Sequence, residues 1–202
     1  GKDIKGVQLA GAIKNVISIA GGIADGMRLG LNARAALICR GLEEMKRLGV
    51  KLNGQPETFS GLAGLGDLIL TATGSLSRNH ELGFRIGEGI SPKDLLKNQF
   101  NVVEGVPTSI SLQELCREQQ VEMPISETVC SILHVGLDPN DALFQLFERL
   151  HYPKGTNQPD CFYAEANTDF ETLLICSFFQ FFLYISPSWS SKKSINLSLI
   201  HI

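Results

Sequence analysis

The stretch GVQLAGAIKNVISIAGGIADGMRL, Gly6 to Leu29, determines the fold class because its apolar residues recur at helical spacing. An apolar side chain every three or four positions forms one stripe along a helix. The stripe consists of Leu9, Ile13, Val16, Ile17, Ala20, Ile23, Ala24 and Met27. The pattern predicts a helix from Gly6 to about Leu29 with this stripe buried.

One charged residue, Lys14, lies off the apolar stripe of this helix. At 100° per residue it shares its side with Gly11, Ser18 and Gly21. Such small residues let another backbone or a ligand come close. Spacing alone leaves two interpretations open, a lysine that a ligand can reach and the more common solvated surface lysine.

The residues that follow also predict helices. Asn32 is the expected N-cap of a second helix, which ends at Gly49 and packs antiparallel to the first. Ser77 precedes RNHELGFRIG, which predicts a helix closed by Gly87 and Gly89. Shorter helices are predicted after Ser91-Pro92, from Thr108 to about Gln120, from Ser126 to about Val135 and from Asn140 to about Leu150. Strand-like alternation is nearly absent before residue 150, so residues 1–150 are predicted to form one all-α domain.

Composition excludes several classes of protein. The chain has 202 residues, of which 44% are hydrophobic and 19% charged, so disorder throughout is excluded. A net charge of −3 gives no basic excess for binding nucleic acid.

The five cysteines form no C-x-x-C pair, which indicates neither a metal site nor a disulfide framework and favours reduced thiols in the cytoplasm. The first residues contain no long apolar signal core.

The stretch GLAGLGDLILTATGSLSRN, Gly61 to Asn79, is predicted to be an irregular connector before the helix at Arg78. Its glycines are spaced G-x-x-G-x-G, the reverse of the dinucleotide fingerprint. Ser77, Arg78 and Asn79 lie at a helix start, which favours either a phosphate receiver or a capped helix with a solvated arginine. Asp67 is likewise either a helix cap or an acid held at a ligand.

Five motifs then resemble one family: GAIKNV (11–16), FSGLAGLGDLILTAT (59–73), SRN (77–79), VVEGVPT (102–108) and EMPISETV (122–129). In this order they resemble the carboxyl-terminal domain of bacterial-type NAD(P)-dependent glycerol-3-phosphate dehydrogenase over about residues 1–150. The resemblance implies an all-α substrate domain of the 6-phosphogluconate-dehydrogenase-like carboxyl-terminal type. A Rossmann dinucleotide-binding domain normally precedes it, and we expect that domain to be absent from this chain.

The resemblance also implies roles for individual residues. Lys14 corresponds to the catalytic proton donor and acceptor and also contacts substrate. Asp67, Ser77, Arg78 and Asn79 correspond to residues that contact glycerol 3-phosphate. Arg78, Val102 and Glu104 correspond to residues associated with the nicotinamide cofactor, NAD or NADP.

The implied reaction interconverts dihydroxyacetone phosphate and sn-glycerol 3-phosphate for glycerophospholipid synthesis, in a cytoplasmic protein that is a possible homodimer. No metal, nucleic acid or membrane span is expected. Two alternatives stay open, a non-catalytic helical interaction domain derived from the family and the substrate domain of a related hydroxyacid or phosphogluconate-type dehydrogenase. The combination of Lys14 with Asp67, Arg78 and Asn79 argues against the first, and GLAGLGD followed by SRN argues against the second.

Residues 151–202 resemble nothing familiar. Their apolar run Leu173 to Ile185 has 13 residues, short of the roughly 20 that a membrane span needs. An added strand, an interfacial segment, a disordered tail and an artefact of gene model or reading frame are the alternatives, and we favour the artefact.

Overall fold

Helices and turns, without a strand, make up the residues that the computed structural model describes, which are 2–74, 76–98, 103–142 and 146. The helices are α1 (Ile4–Gly26), α2 (Gly30–Lys51), α3 (Pro56–Ser60), α4 (Asp67–Thr73), α5 (Arg78–Gly87), α6 (Pro92–Asn98), α7 (Gly105–Gln119) and α8 (Pro124–Cys130). Turns of π-helix over Leu62–Gly66 and Ser131–Val135 adjoin α4 and α8, and residues 139–142 are helical. The all-α prediction is confirmed for these ranges. Val102, most of the helix predicted from Asn140 and the tail 151–202 lie outside the described residues.

The central element is α1, which packs against α2, α4, α5, α7 and α8. Every residue from 15 to 24 is buried, so burial extends well beyond the predicted stripe. By length and mean hydropathy α1 could cross a membrane, but 67% of its apolar window is buried, as in the core helix of a soluble protein. Because α1 is covered on most sides, each of its buried polar side chains needs a hydrogen-bond partner inside the protein.

The helices α1 and α2 are antiparallel, as predicted. Ile17 packs where Gly41 leaves room, and Asp25, two turns later in α1, pairs with Arg34, which comes earlier in α2. The contact positions therefore rise along one helix and fall along the other.

Both predicted ends of α2 were wrong. The helix begins at Gly30 instead of after Asn32, because Arg28 at φ 59° and Gly30 at φ 85° reverse the chain early. It also continues through Gly49 to Lys51. Gly49 serves packing instead of termination, since a Cβ there would lie 2.0 Å from the ring of Phe59.

The closest helix crossing joins α1 to α5 through glycines on both helices. A Cβ added at Gly22 would lie 2.0 Å from the His80 carbonyl oxygen, and one at Gly83 would lie 2.0 Å from that of Ile19. Gly26 and Gly87 make the same kind of contact one turn later, so the two helices run parallel. The segment GGIADG is thus the interior of a helix that needs close backbone approach, and not a phosphate-binding turn.

The stretch from Leu62 to Thr73 is helical, so the prediction of an irregular connector was wrong there. After α3 the chain makes the π-helical turn and enters α4 directly at Asp67. Gly64 permits this tight turn, because a Cβ there would lie 2.1 Å from the carbonyl oxygen of Phe59. The irregular part shrinks to the few residues between Thr73 and Arg78.

The later helix starts depend on proline and capping. The predicted helices at Ser77 and at Ser91-Pro92 are confirmed as α5 and α6. α7 and α8 start two or three residues earlier than predicted, because Pro107 and Pro124 lie inside their first turns, where no amide hydrogen is needed.

The buried carboxyl of Glu44 on α2 caps α8. It accepts hydrogen bonds from the amide of Ile125 at 2.6 Å and from the amide and hydroxyl of Ser126 at 3.2 and 3.0 Å. Burial raises the pKa of Glu44 to about 7, outweighing these hydrogen bonds and the charge of Arg47.

Candidate active site

An ion pair between α1 and the start of α4 forms one side of the candidate site. Lys14 Nζ lies 2.5 Å from Asp67 Oδ2, although the two residues are 53 positions apart in sequence. Their side chains are 21% and 35% exposed, so solvent or a ligand can reach the pair. Gly66, not Asp67, is the N-cap of α4 and Asp67 makes no capping bond. Of the two interpretations for Asp67, the helix cap is therefore wrong.

A cleft of about 460 Å³ opens beside this ion pair. It is lined by the end of α4, the connector, the start of α5 and one residue before α7, namely Leu70, Thr71, Gly74, Leu76, Ser77, Arg78, Asn79 and Glu104. Lys14 and Asp67 are not among the lining residues. Thr71 links the two parts, because its hydroxyl donates to the carbonyl oxygen of Asp67 at 2.7 Å and lies 3.4 Å from its Oδ1.

The buried amide of Asn15, next to Lys14 in sequence, joins three helices at the cleft. Its Nδ2 donates to Glu104 Oε2 at 3.1 Å, and its Oδ1 accepts from Asn79 Nδ2 at 3.1 Å. The Asn79 side-chain oxygen in turn accepts from the amide of Gly105 at 2.9 Å. This network fixes α1, α5 and the start of α7 relative to one another.

Arg78 is a charged residue of the cleft whose side chain has no partner among the described residues. It is the first residue of α5, it is exposed, and it makes no hydrogen bond or ion pair with any residue in the described ranges. The amide groups at a helix start and the positive end of the helix dipole favour an anion nearby. A planar guanidinium at this position adds donors that match a phosphate or carboxylate.

Ser77 is held by hydrogen bonds within the protein. Its Oγ accepts from the His80 amide at 3.2 Å, which caps α5, and lies 3.2 Å from the hydroxyl of Ser18. His80 also places its ring Nε2 2.8 Å from Asp25, which pairs with Arg34. The first turn of α5 is thus tied to α1 and α2.

Among the sequence-predicted site residues, the structure brings Ser77, Arg78, Asn79 and Glu104 together in the cleft and puts Lys14 with Asp67 beside it. Sequence reasoning missed Asn15, Ser18 and Thr71. The available signal was the presence of polar side chains inside the buried run of α1, since a buried polar group is more informative than an exposed one.

No group of three His, Cys, Asp or Glu side chains that could hold a metal ion occurs in the part of the chain that the structure describes. Cys39, Cys116 and Cys130 are free thiols. Burial raises the pKa of Cys116 to about 11, so this thiol stays protonated at neutral pH.

The family model for the NAD-dependent glycerol-3-phosphate dehydrogenase C-terminus matches residues 3–144. The glycerol-3-phosphate dehydrogenase [NAD(P)+] of Burkholderia lata is 54% identical over 149 residues, which are 74% of this chain and 45% of that protein. The crystal structure of glycerol-3-phosphate dehydrogenase from Coxiella burnetii is similar with a TM-score of 0.71 and 46% identity, over 74% of this chain and 46% of that one. The enzyme from Saccharomyces cerevisiae gives a TM-score of 0.62 at 27% identity, over 71% and 42% of the two chains.

These matches place the chain in a class, the helical carboxyl-terminal domains of nicotinamide-dependent dehydrogenases. More narrowly, it belongs to the NAD-dependent glycerol-3-phosphate dehydrogenase family, through that family's carboxyl-terminal domain. The chain spans less than half the length of the Burkholderia and Coxiella relatives.

Proposed function

We propose that this chain supplies the substrate-binding and proton-transfer part of a glycerol-3-phosphate dehydrogenase. The enzyme interconverts dihydroxyacetone phosphate and sn-glycerol 3-phosphate with NAD or NADP, and its product serves glycerophospholipid synthesis. The observation that carries the proposal is the Lys14–Asp67 ion pair next to a cleft lined by Arg78, whose guanidinium has no partner in the described part of the chain.

The chemistry needs a proton and a positive charge at the carbonyl oxygen as it becomes an alkoxide. The Lys14 ammonium can provide both: it stabilises the developing negative charge and donates a proton from Nζ. In the reverse direction the neutral amine accepts the hydroxyl proton of glycerol 3-phosphate. Asp67, 2.5 Å away, holds the ammonium in place by this ion pair.

The phosphate of the substrate is assigned to the start of α5. The guanidinium of Arg78 and the amides of Arg78 and Asn79, which have no partner among the described residues, offer donors to its oxygens. Asn79 fixes the turn through Asn15 and Gly105. Holding the phosphate there positions the carbonyl group relative to Lys14.

The nicotinamide group supplies or accepts the hydride when the dinucleotide is bound. Within this chain Arg78 and Glu104 would hold it, with Val102. The donor set fits such a group, because Arg78 and Glu104 both line the cleft with exposed side chains. The guanidinium has no partner among the described residues, and the carboxylate accepts one hydrogen bond, from Asn15. Both side chains can exchange their hydration for polar groups of a cofactor.

The remaining assignments extend from the family. We place the enzyme in the cytoplasm. We assign binding of the dinucleotide to a separate Rossmann domain. Homodimer formation belongs to the same proposal. The exposed side chains of Leu62, Leu70 and Leu76, between 70% and 96% accessible, lie near the site and suit contact with another domain.

The test is a fusion of the chain with the part of the Burkholderia lata relative that it does not match. With dihydroxyacetone phosphate present, we expect the fusion protein to oxidise NADH or NADPH, followed by nicotinamide absorbance. As a control, the part of the Burkholderia lata relative alone should not oxidise NADH or NADPH under the same conditions. A folded fusion that binds the dinucleotide but shows no substrate-dependent oxidation would contradict the proposal.

A further inference from the structure

A fully buried hydroxyl, that of Ser18 on α1, holds the end of α4 and the start of α5 together. Its side chain is 0% exposed. The Ser18 Oγ donates to the carbonyl oxygen of Thr71 at 2.7 Å and lies 3.2 Å from Ser77 Oγ. Thr71 lies near the end of α4, Ser77 directly precedes α5, and both line the cleft.

The direction of each hydrogen bond follows from counting protons. A hydroxyl has one donor hydrogen. Since the Thr71 carbonyl can only accept, the Ser18 hydrogen points to it, and Ser77 must then donate to Ser18. The Ser77 oxygen simultaneously accepts from the amide of His80. The only hydrogen of Ser77 is therefore directed into the core and away from the cleft.

The neighbouring residues show why α4 can approach so closely. Gly21, one turn after Ser18, faces the carbonyl oxygen of Ala72, which an added Cβ would approach to 3.3 Å. The side of α1 that carries the small residues Ser18 and Gly21 thus packs against the end of α4. On this side Ser18 donates the hydrogen bond to α4. The connector is anchored at both ends by one side chain that does not itself line the cleft.

We propose that Ser18 is a positioning residue, which sets the connector and the start of α5 by fixing the hydroxyl of Ser77. Ser77 then acts by capping α5 at the amide of His80. An anion in the cleft is bound by the guanidinium of Arg78 and by the amides of Arg78 and Asn79. This inference rests on the proposed function for its effect on substrate, but its structural part stands independently.

The structural part is tested on the 202-residue chain by amide hydrogen exchange. In Ser18→Ala the amide of His80 should exchange about three- to tenfold faster, approaching the rate in Ser77→Ala, because the cap loses its fixed orientation. Ser109→Ala is the matched control: Ser109 is 1% exposed and donates to a backbone carbonyl at the same 2.7 Å. An unchanged rate at His80 in Ser18→Ala would overturn the proposal.

The functional part is tested in the fusion protein. Ser18→Ala should raise KM for dihydroxyacetone phosphate about three- to tenfold while kcat changes less than about twofold, because placement and not proton transfer is altered. Ser18→Ala combined with Ser77→Ala should be no worse than Ser77→Ala alone, as expected for residues that act as a unit. Faster exchange at His80 with an unchanged KM, in an active fusion, would also overturn the positioning role. An inactive wild-type fusion counts against the proposed function, and the exchange rate then decides the role of Ser18.

Discussion

At the scale of single residues, the proposed proton transfer assigns the main chemical role to Lys14. In the fusion protein Lys14→Ala should lower kcat by a factor of about 10² to 10⁴, the usual loss for a general acid, with a smaller effect on substrate binding. Lys46→Ala is the control, because Lys46 forms an ion pair with Glu43 on α2 and does not contact the site. Steady-state kinetics with dihydroxyacetone phosphate provide the measurement. Near-normal turnover in Lys14→Ala would refute the assignment.

Arg78 should act on binding instead of on proton transfer. Its guanidinium has no partner among the described residues, so pairing with a desolvated phosphate would contribute about 2–4 kcal/mol. Arg78→Ala should raise KM for dihydroxyacetone phosphate accordingly. Arg85→Ala, at an exposed arginine of the same helix that pairs with Glu81, should leave KM unchanged. Equal KM values for the two variants would show that Arg78 is only a solvated residue.

Glu44 makes the stability of the chain depend on pH. Its pKa is about 7 in the folded protein and 4.5 in the unfolded reference, so the folded state holds its proton more tightly. The contribution of Glu44 to the unfolding free energy is therefore fully present below pH 4.5 and is lost as the pH rises through 7, by up to about 3 kcal/mol.

This dependence is measurable by denaturant unfolding of the 202-residue chain at several pH values. Glu44→Gln cannot titrate, so its unfolding free energy should decline less between pH 5 and 8 than that of the wild type. Every other titrating group is shared, so the difference between the two curves isolates Glu44. Parallel curves would mean that Glu44 is ionised in the folded protein throughout this range.

At the scale of elements, the crossing of α1 and α5 places the first turn of α5, to which we assign the phosphate, beside the helix that carries Lys14. Gly83→Ala should destabilise the chain by about 1–3 kcal/mol, because its Cβ would lie 2.0 Å from the backbone oxygen of Ile19 and the helices must separate. Gly11→Ala is the matched control, since nothing lies within 4 Å of its Cβ position and alanine favours a helix. Thermal unfolding of both variants is the measurement. A Gly83→Ala protein as stable as wild type would show that the crossing can relax.

Elements defined by local signals could be predicted from the sequence. The periodicity of α1 and the cap at Ser77 both depend on residues within a few positions. The helix and the cap are confirmed, although α1 spans Ile4–Gly26 and both of its predicted ends, Gly6 and about Leu29, were wrong. The end of α2 failed because Gly49 is explained by the ring of Phe59, ten residues away and in another helix. A single sequence does not distinguish a glycine that ends a helix from a glycine that allows close packing of another side chain.

In the candidate site, too, the identity of the residues could be predicted from the sequence but the contacts between distant residues could not. Lys14, Asp67 and the SRN triplet could be named because their motifs resemble a known family, but the resemblance does not say which side chains touch. The Lys14–Asp67 pair spans 53 positions and the contact of Asn15 with Glu104 spans 89. These contacts arise from the packing of α1 against α4, α5 and α7, which no local pattern encodes.

At the scale of the whole molecule, the candidate site is open to solvent. Lys14 and Asp67 are partly exposed, and the cleft beside them is lined from one side by Leu70, Leu76 and Arg78, which are accessible to water. Charges that face water are screened, so their effect on a developing alkoxide is weaker than in a closed site. Hydride transfer also requires a nicotinamide held about 3–3.5 Å from the reacting carbon.

The 202-residue chain by itself is therefore expected not to catalyse the reaction. No G-x-G-x-x-G turn that could hold the dinucleotide phosphates occurs in its sequence, and GGIADG is buried in a helix crossing. The measurement is a titration of the chain with NADH, NADPH and dihydroxyacetone phosphate, followed by nicotinamide absorbance, with the fusion protein as the positive control. We expect no substrate-dependent oxidation by the chain alone. Oxidation that persists after purification, and that Lys14→Ala abolishes, would show that the helical wall can hold a dinucleotide unaided and that no separate domain is required.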